Sequence, residues 1–148
     1  MKKILVLGLL SSFFSVGAFA AACPDTSGTA TAVAAPTSST TATGEMCACA
    51  GAAGKTDING GSGAVVATPV FIKNGFIAQC SANTMVSFNE VAATAFAVAG
   101  GSRKGNQTVI GSSNGGSVTT DQACATTGCT AANVTAANGR ATTASSSN

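Results

Sequence analysis

Histidine, tryptophan and tyrosine are absent from this 148-residue sequence, and only 8% of its residues are charged. Without histidine there is no imidazole base and no imidazole metal ligand. Without tryptophan or tyrosine, and with Arg103-Lys104 as the one basic pair beyond the N-terminus, the chain lacks the stacking surfaces and cationic stripe of a nucleic-acid binder. The glycine pairs Gly60-Gly61 and Gly115-Gly116 lack a following Lys-Ser/Thr and helix, so no phosphate loop is indicated. Leucine is confined to Leu5, Leu7, Leu9 and Leu10. Beyond residue 20 there are 18 Val, Ile and Phe residues, about 14% of what remains, below the ~20% of an ordinary globular domain. Burial alone therefore does not hold the whole chain, and disulfides or subunit contacts are expected to assist it.

What the N-terminus does contain is an export pattern. Lys2 and Lys3 precede an apolar run over residues 4–16, and Ala18-Phe19-Ala20 places small residues where a signal peptidase reads them. Cleavage is expected between Ala20 and Ala21. Serines within the run and the processing site distinguish it from a membrane anchor. Losing Lys2 and Lys3 leaves 5 basic against 5 acidic residues, a formally neutral mature chain. Zero net charge removes long-range self-repulsion and favours association.

The mature sequence divides into an arm rich in Thr, Ala, Ser and Gly (21–63), a β-rich core (64–120) and a Cys-containing, largely irregular tail (121–148). In the arm, Thr29, Thr31 and Val33 alternate with Ala30, Ala32 and Ala34, a period of two suited to an added strand or a coil. In VFIK-NG-FIAQC, Asn74-Gly75 reads as the turn of a two-residue hairpin, pairing Lys73 with Phe76, Ile72 with Ile77 and Phe71 with Ala78. Val86 and Phe88 share one strand face. EVAATAFAVA is alanine-rich enough for a helix, but its β-branched residues and the following Gly100-Gly101 favour strand. Residues 103–106 read as a basic turn, Thr108-Val109-Ile110 as a strand, SSNGGS as a turn and Ser117-Val118-Thr119 as a last strand. The expected fold is all-β, a small antiparallel sheet or sandwich stapled by disulfides, with its core between Val65 and Ile110.

Six cysteines, Cys23, Cys47, Cys49, Cys80, Cys124 and Cys129, lie in the mature chain. An even number in an exported chain predicts three disulfides. Cys47 and Cys49 are too close to bridge each other, Cys124 with Cys129 suits a local clasp, and Cys80 would then hold the arm through Cys47 or Cys49. Cys23, at the new N-terminus, is placed to reach a neighbouring subunit. The alternative, a thiolate zinc site from Cys-x-Cys and Cys-x4-Cys, lacks the usual two-residue spacing.

The mature acids, Asp25, Glu45, Asp57, Glu90 and Asp121, form no catalytic motif. Glu90, alone in the core segment, reads as an exposed edge charge, with Lys73 or Arg103 as its partner were it buried. No enzymatic activity and no cofactor are expected. From GFIAQCSANTMVSFNEV to GSRKGNQTVIGSSNGGSV, and in general composition, the chain is similar to short secreted bacterial subunits of extracellular filaments and pili. The resemblance implies a secreted or cell-surface structural protein whose partner is itself; the expected joint is a strand that the arm (Ala21 to Gly44) or the tail adds to a neighbour's exposed sheet edge. The alternative expectation is a monomeric secreted adhesin or binding module, presenting the turns near Asn74, Arg103 and Asn114 to a surface or glycan. Neither reading involves nucleic acid, or a membrane once the signal is removed.

Overall fold

The computed structural model describes residues 23, 44–58, 71–114, 116–125 and 127–147. The cleavage site at Ala20 and Ala21, the alternation over residues 29–34, and Val65, Val66 and Val70 lie outside the described residues.

The chain is mostly β. Seven strands run β1 (Glu45–Ala50), β2 (Gly54–Ile58), β3 (Phe76–Cys80), β4 (Thr84–Ala92), β5 (Ala95–Ser102), β6 (Gln107–Ser112) and β7 (Thr119–Ala123), followed by helix α1 (Ala131–Ser146). A five-stranded antiparallel sheet has the order β1-β4-β5-β6-β7, and β2 and β3 form a separate two-stranded sheet. Alternation along β4 and β5 sorts side chains between two faces, as a pleated strand must. Met85, Ala97 and Ala99 turn one way and join Val134 and Ala137 of α1. Phe88, Phe96 and Val98 turn the other way, with Met46, Ala48 and Ile58.

Several expectations are corrected. The tail is not irregular: α1 spans 16 residues. Its N-terminus is closed reciprocally, Asn133 N donating to Thr130 Oγ1 at 3.3 Å and Thr130 N to Asn133 Oδ1 at 2.9 Å, which satisfies donors a helix start leaves open. Its buried stripe is Ala131, Val134, Ala137, Asn138, Ala141 and Ser145. Spacings of three and four put these on one side of a helix although only Val134 is a large apolar residue. The opposing sheet surface is as small, with Ala97, Ala99 and Gly101; a Cβ on Gly101 would lie 3.2 Å from Val134 Cγ2.

The core also begins earlier than Val65, because β1 and β2 arise from what reads as the arm, and Met46 and Ile58 are each 1% exposed. Nor do Asn74 and Gly75 turn a hairpin. Residues 71–75 are irregular, and β3 pairs with β2, Ile58 opposite Phe76 and Gly54 opposite Cys80. Gly100 and Gly101 lie inside β5 rather than ending it, and the last strand starts at Thr119. EVAATAFAVA is strand, folded back at Ala93-Thr94.

Candidate functional site

The six cysteines form three disulfides, Cys23–Cys47, Cys49–Cys80 and Cys124–Cys129. The local clasp and the Cys49–Cys80 tie are as the sequence reading allowed. Cys23 is the correction: it is buried within its own chain, 4% exposed, rather than offered to a neighbour. A bulge explains how a Cys-x-Cys pair serves two different bonds. In an unbroken strand Cys47 and Cys49 would face the same side. Between them the β1–β4 register shifts, Cys47 standing opposite Ser87 and Cys49 opposite Val86, so Ala48 is the extra residue. Cys47 consequently faces the α1 side, where it binds Cys23, and Cys49 faces the other, where it holds β3 through Cys80. Paired sulfurs of this kind belong to an oxidising, extracellular-type environment. No helix among the described residues is long and apolar enough to cross a membrane.

On the helix side the sheet is joined to α1 by polar contacts. Asn138, 2% exposed, donates to Ser87 Oγ at 3.2 Å and accepts from Thr142 at 3.3 Å, while Asn89 donates to Thr142 Oγ1 at 3.3 Å. Ser145 Oγ lies 2.7 Å from Ser112 Oγ and donates to Phe96 O at 3.1 Å. Arg140 grips Asp121 of β7 through two nitrogens, at 2.9 and 2.5 Å, and Thr108 donates to Asp121 Oδ2 at 2.8 Å. The Arg140 guanidinium, aided by Thr108, holds the Asp121 carboxyl below the usual carboxylate range, with burial opposing; the same contact raises Arg140.

Glu90 is likewise not an exposed edge charge. It is 0% exposed on the opposite face, where its Oε1 accepts Phe71 N at 3.1 Å and Ile72 N at 2.6 Å. Two main-chain donors on one oxygen are what a buried carboxylate requires. They fasten the irregular segment against the sheet, and Phe71 stacks on Phe96 with ring centroids 5.2 Å apart. Glu90 and Asp121 thus each fasten one element to the sheet. Among the described residues no three of His, Cys, Asp or Glu are placed to hold a metal.

The face away from α1 is only partly covered. The β2–β3 hairpin and residues 71–72 lie over β1 and β4, leaving a cavity of about 370 Å³ lined by Ile58, Ile72, Phe76, Phe88, Phe96 and others. A second hollow of about 140 Å³, walled by Val86, Val98, Gly100, Val109, Gly111 and Val118, continues it toward β7. Val86 and Val98 belong to both, so the two form one apolar surface. Phe76 is 53%, Val109 37% and Val118 68% exposed along it. Among the described residues Gln79 is the one polar side chain lining either hollow. Such an apolar lining is suited to burying apolar contacts.

The turns that would present a binding module are mostly engaged inward. Arg103 packs over Gly51, whose missing side chain makes the room: a Cβ there would lie within 3.1 Å of Arg103 Cδ. Asn114 Nδ2 donates to Ser145 O at the end of α1. Asn74 and Gly75 remain exposed. The apolar surface was missed by the sequence reading, which located most of its residues but not which of them stay uncovered. Comparison with protein-family models, with curated proteins and with solved structures finds no match to this chain.

Proposed function

We propose that the chain is an exported, self-assembling structural subunit of an extracellular filament, pilus-like fibre or surface matrix. The observation that carries this reading is the uncovered apolar half-face, from Phe76 through Val86 and Val98 to Val109 and Val118. A monomer seldom leaves such a continuous patch to water unless a partner covers it. Removal of residues 1–20 at Ala20-Ala21 leaves the chain formally neutral, so copies approach without net repulsion. Three intrachain disulfides then supply rigidity that a core of few large residues lacks.

The test is light scattering and negative-stain imaging of oxidised residues 21–148 at rising concentration. Filaments or large regular assemblies are the expected result, weakened by Val109→Lys or Val118→Lys. A monomer at every concentration would overturn the reading in favour of a secreted binding module.

A further inference from the structure

The two edges of the five-stranded sheet are finished differently. At one edge β1 is buried from Met46 to Ala50 and carries two disulfides. At the other, Thr119, Thr120, Gln122 and Ala123 of β7 are exposed, and no strand among the described residues pairs with its outer side. Gln122 N donates to Thr108 Oγ1 and Cys124 N to Asn106 O, both toward β6. Val109 and Gln107 bond toward β5, so the residues opposite them, Thr120 and Ala123, turn their N–H groups outward. Natural edges are usually blunted with lysine, proline or an outward charge. β7 carries neither lysine nor proline; it is bulged opposite Thr108, and its single charge, Asp121, is turned onto α1 by Arg140. The strand is thus held rigid by its inner contacts while its outer hydrogen-bonding groups stay open.

The chain also contains a segment suited to that edge, and the disulfides fix where it emerges. Cys23 is buried and bonded to Cys47, their Cα atoms 4.8 Å apart, and Gly44 leads into β1. Both ends of the 20 residues between Cys23 and Gly44 are consequently anchored on the β1 side of the sheet. Doubled back on itself, a segment of this length reaches roughly 33 Å, against about 19 Å across five strands. At its centre Thr29, Thr31 and Val33 alternate with Ala30, Ala32 and Ala34, without charge or proline. One set of side chains would meet Val118 and Val109 on the uncovered half-face while the alanines meet the α1 side. That combination, main-chain pairing at an open edge with alternate side chains in an apolar hollow, is how an extended peptide is recognised by a sheet.

We propose that residues 29–34 of one copy add as a strand to the outer edge of β7 in the next copy. The donor's anchors at Cys23 and Gly44 and the acceptor strand lie at opposite edges of one sheet, so the contact is head-to-tail rather than two-fold. The assembly is a polar filament in which each subunit both gives and receives a strand. This rests on the self-assembly reading and specifies its joint.

The test uses two variants of the oxidised chain beside the parent. Ala123→Pro removes an outward N–H without taking a bond from β6; Thr120→Lys with Gln122→Lys, both on exposed side chains, is the second acceptor variant should the first unfold. Thr29→Pro with Thr31→Pro disables the donor. Each variant alone is expected to stay monomeric and folded, and an equimolar mixture of donor-disabled and acceptor-disabled chains to give a 1:1 dimer that does not grow. Polymerisation of both variants like the parent would overturn this joint and leave self-assembly standing. Monomeric variants that fail to dimerise when mixed would also overturn it. A parent that never polymerises would sink the self-assembly reading itself, and this joint with it.

Discussion

The two faces of the five-stranded sheet are packed by opposite means. On the α1 side Ala97, Ala99 and Gly101 meet Ala131, Ala137 and Ala141, and Asn138, Thr142 and Ser145 add directed hydrogen bonds. Close approach of two backbones supplies dispersion contact there, with little side-chain area. On the other side Phe71, Phe88 and Phe96 supply bulk, the hairpin is tied on by Cys49–Cys80, and about 370 Å³ is left unfilled. Large residues do not by themselves make the tighter face. The tight face is made of the smallest residues in the chain, and the loose one of the largest.

The difference can be broken most severely at the hairpin. Cys49→Ser with Cys80→Ser opens a loop of sequence separation 31, and chain-entropy arguments put the loss at about 3.7 kcal/mol, against about 2 kcal/mol for the short Cys124–Cys129 clasp. Denaturant unfolding of the two double variants should rank them in that order. Next, Ala137→Leu enlarges a fully buried residue on the tight face and is expected to lower stability by about 2 to 3 kcal/mol through overpacking. A smaller loss in the same assay would mean that α1 can lift off at low cost.

Glu90→Ala on the loose face strips Phe71 N and Ile72 N of their acceptor and should lower stability by about 1 to 3 kcal/mol. Amide exchange is expected to speed up at residues 71–72 before it does in β5. Asp121→Asn, across the sheet, weakens the Arg140 contact and should lower stability by about 1 kcal/mol, Arg140 being 37% exposed. Because the folded carboxyl titrates below its unfolded value, the parent holds this contribution above the unfolded pKa of about 3.9 and loses it as pH falls through the folded value. The Asn variant should lack that part of the acid slope, as thermal melts across the acid range would read. Smallest is Val98→Phe, which grows into the open hollow and should change stability by less than about 0.5 kcal/mol. A loss like that of Ala137→Leu would show that the two faces do not differ in free volume.

The elements legible in the sequence are those whose large side chains alternate. Phe88, Phe96 and Val98 mark β4 and β5 and their shared face, and the cysteines disclose the staples. α1 escaped because its buried stripe, Val134 apart, is alanine, asparagine and serine, which have little hydropathy contrast. A signal was present in Thr130-x-x-Asn133, a capping pair, and in the three-and-four spacing of Ala131, Val134, Ala137 and Ala141. Asn74-Gly75 misled because turn chemistry is local while strand choice is not: β3 finds its partner at Gly54–Ile58, whose Lys55 and Asp57 hide it as a strand. For Glu90, no pattern announces that Phe71 and Ile72 will present two amides to it. The apolar surface was legible as a concentration of valine and phenylalanine, but its exposure depends on how far two five-residue strands, β2 and β3, reach.

The sulfur connectivity sets an order of events. Along the chain the cysteines pair first with second, third with fourth and fifth with sixth. In a polypeptide that emerges N-terminus first, every cysteine waiting for a partner is joined by the next one to appear, and none must be set aside for a later arrival. The native bonds are therefore the ones that stepwise oxidation makes by default, so maturation needs an oxidant but no reshuffling of mispaired bonds, a process that takes seconds to hours.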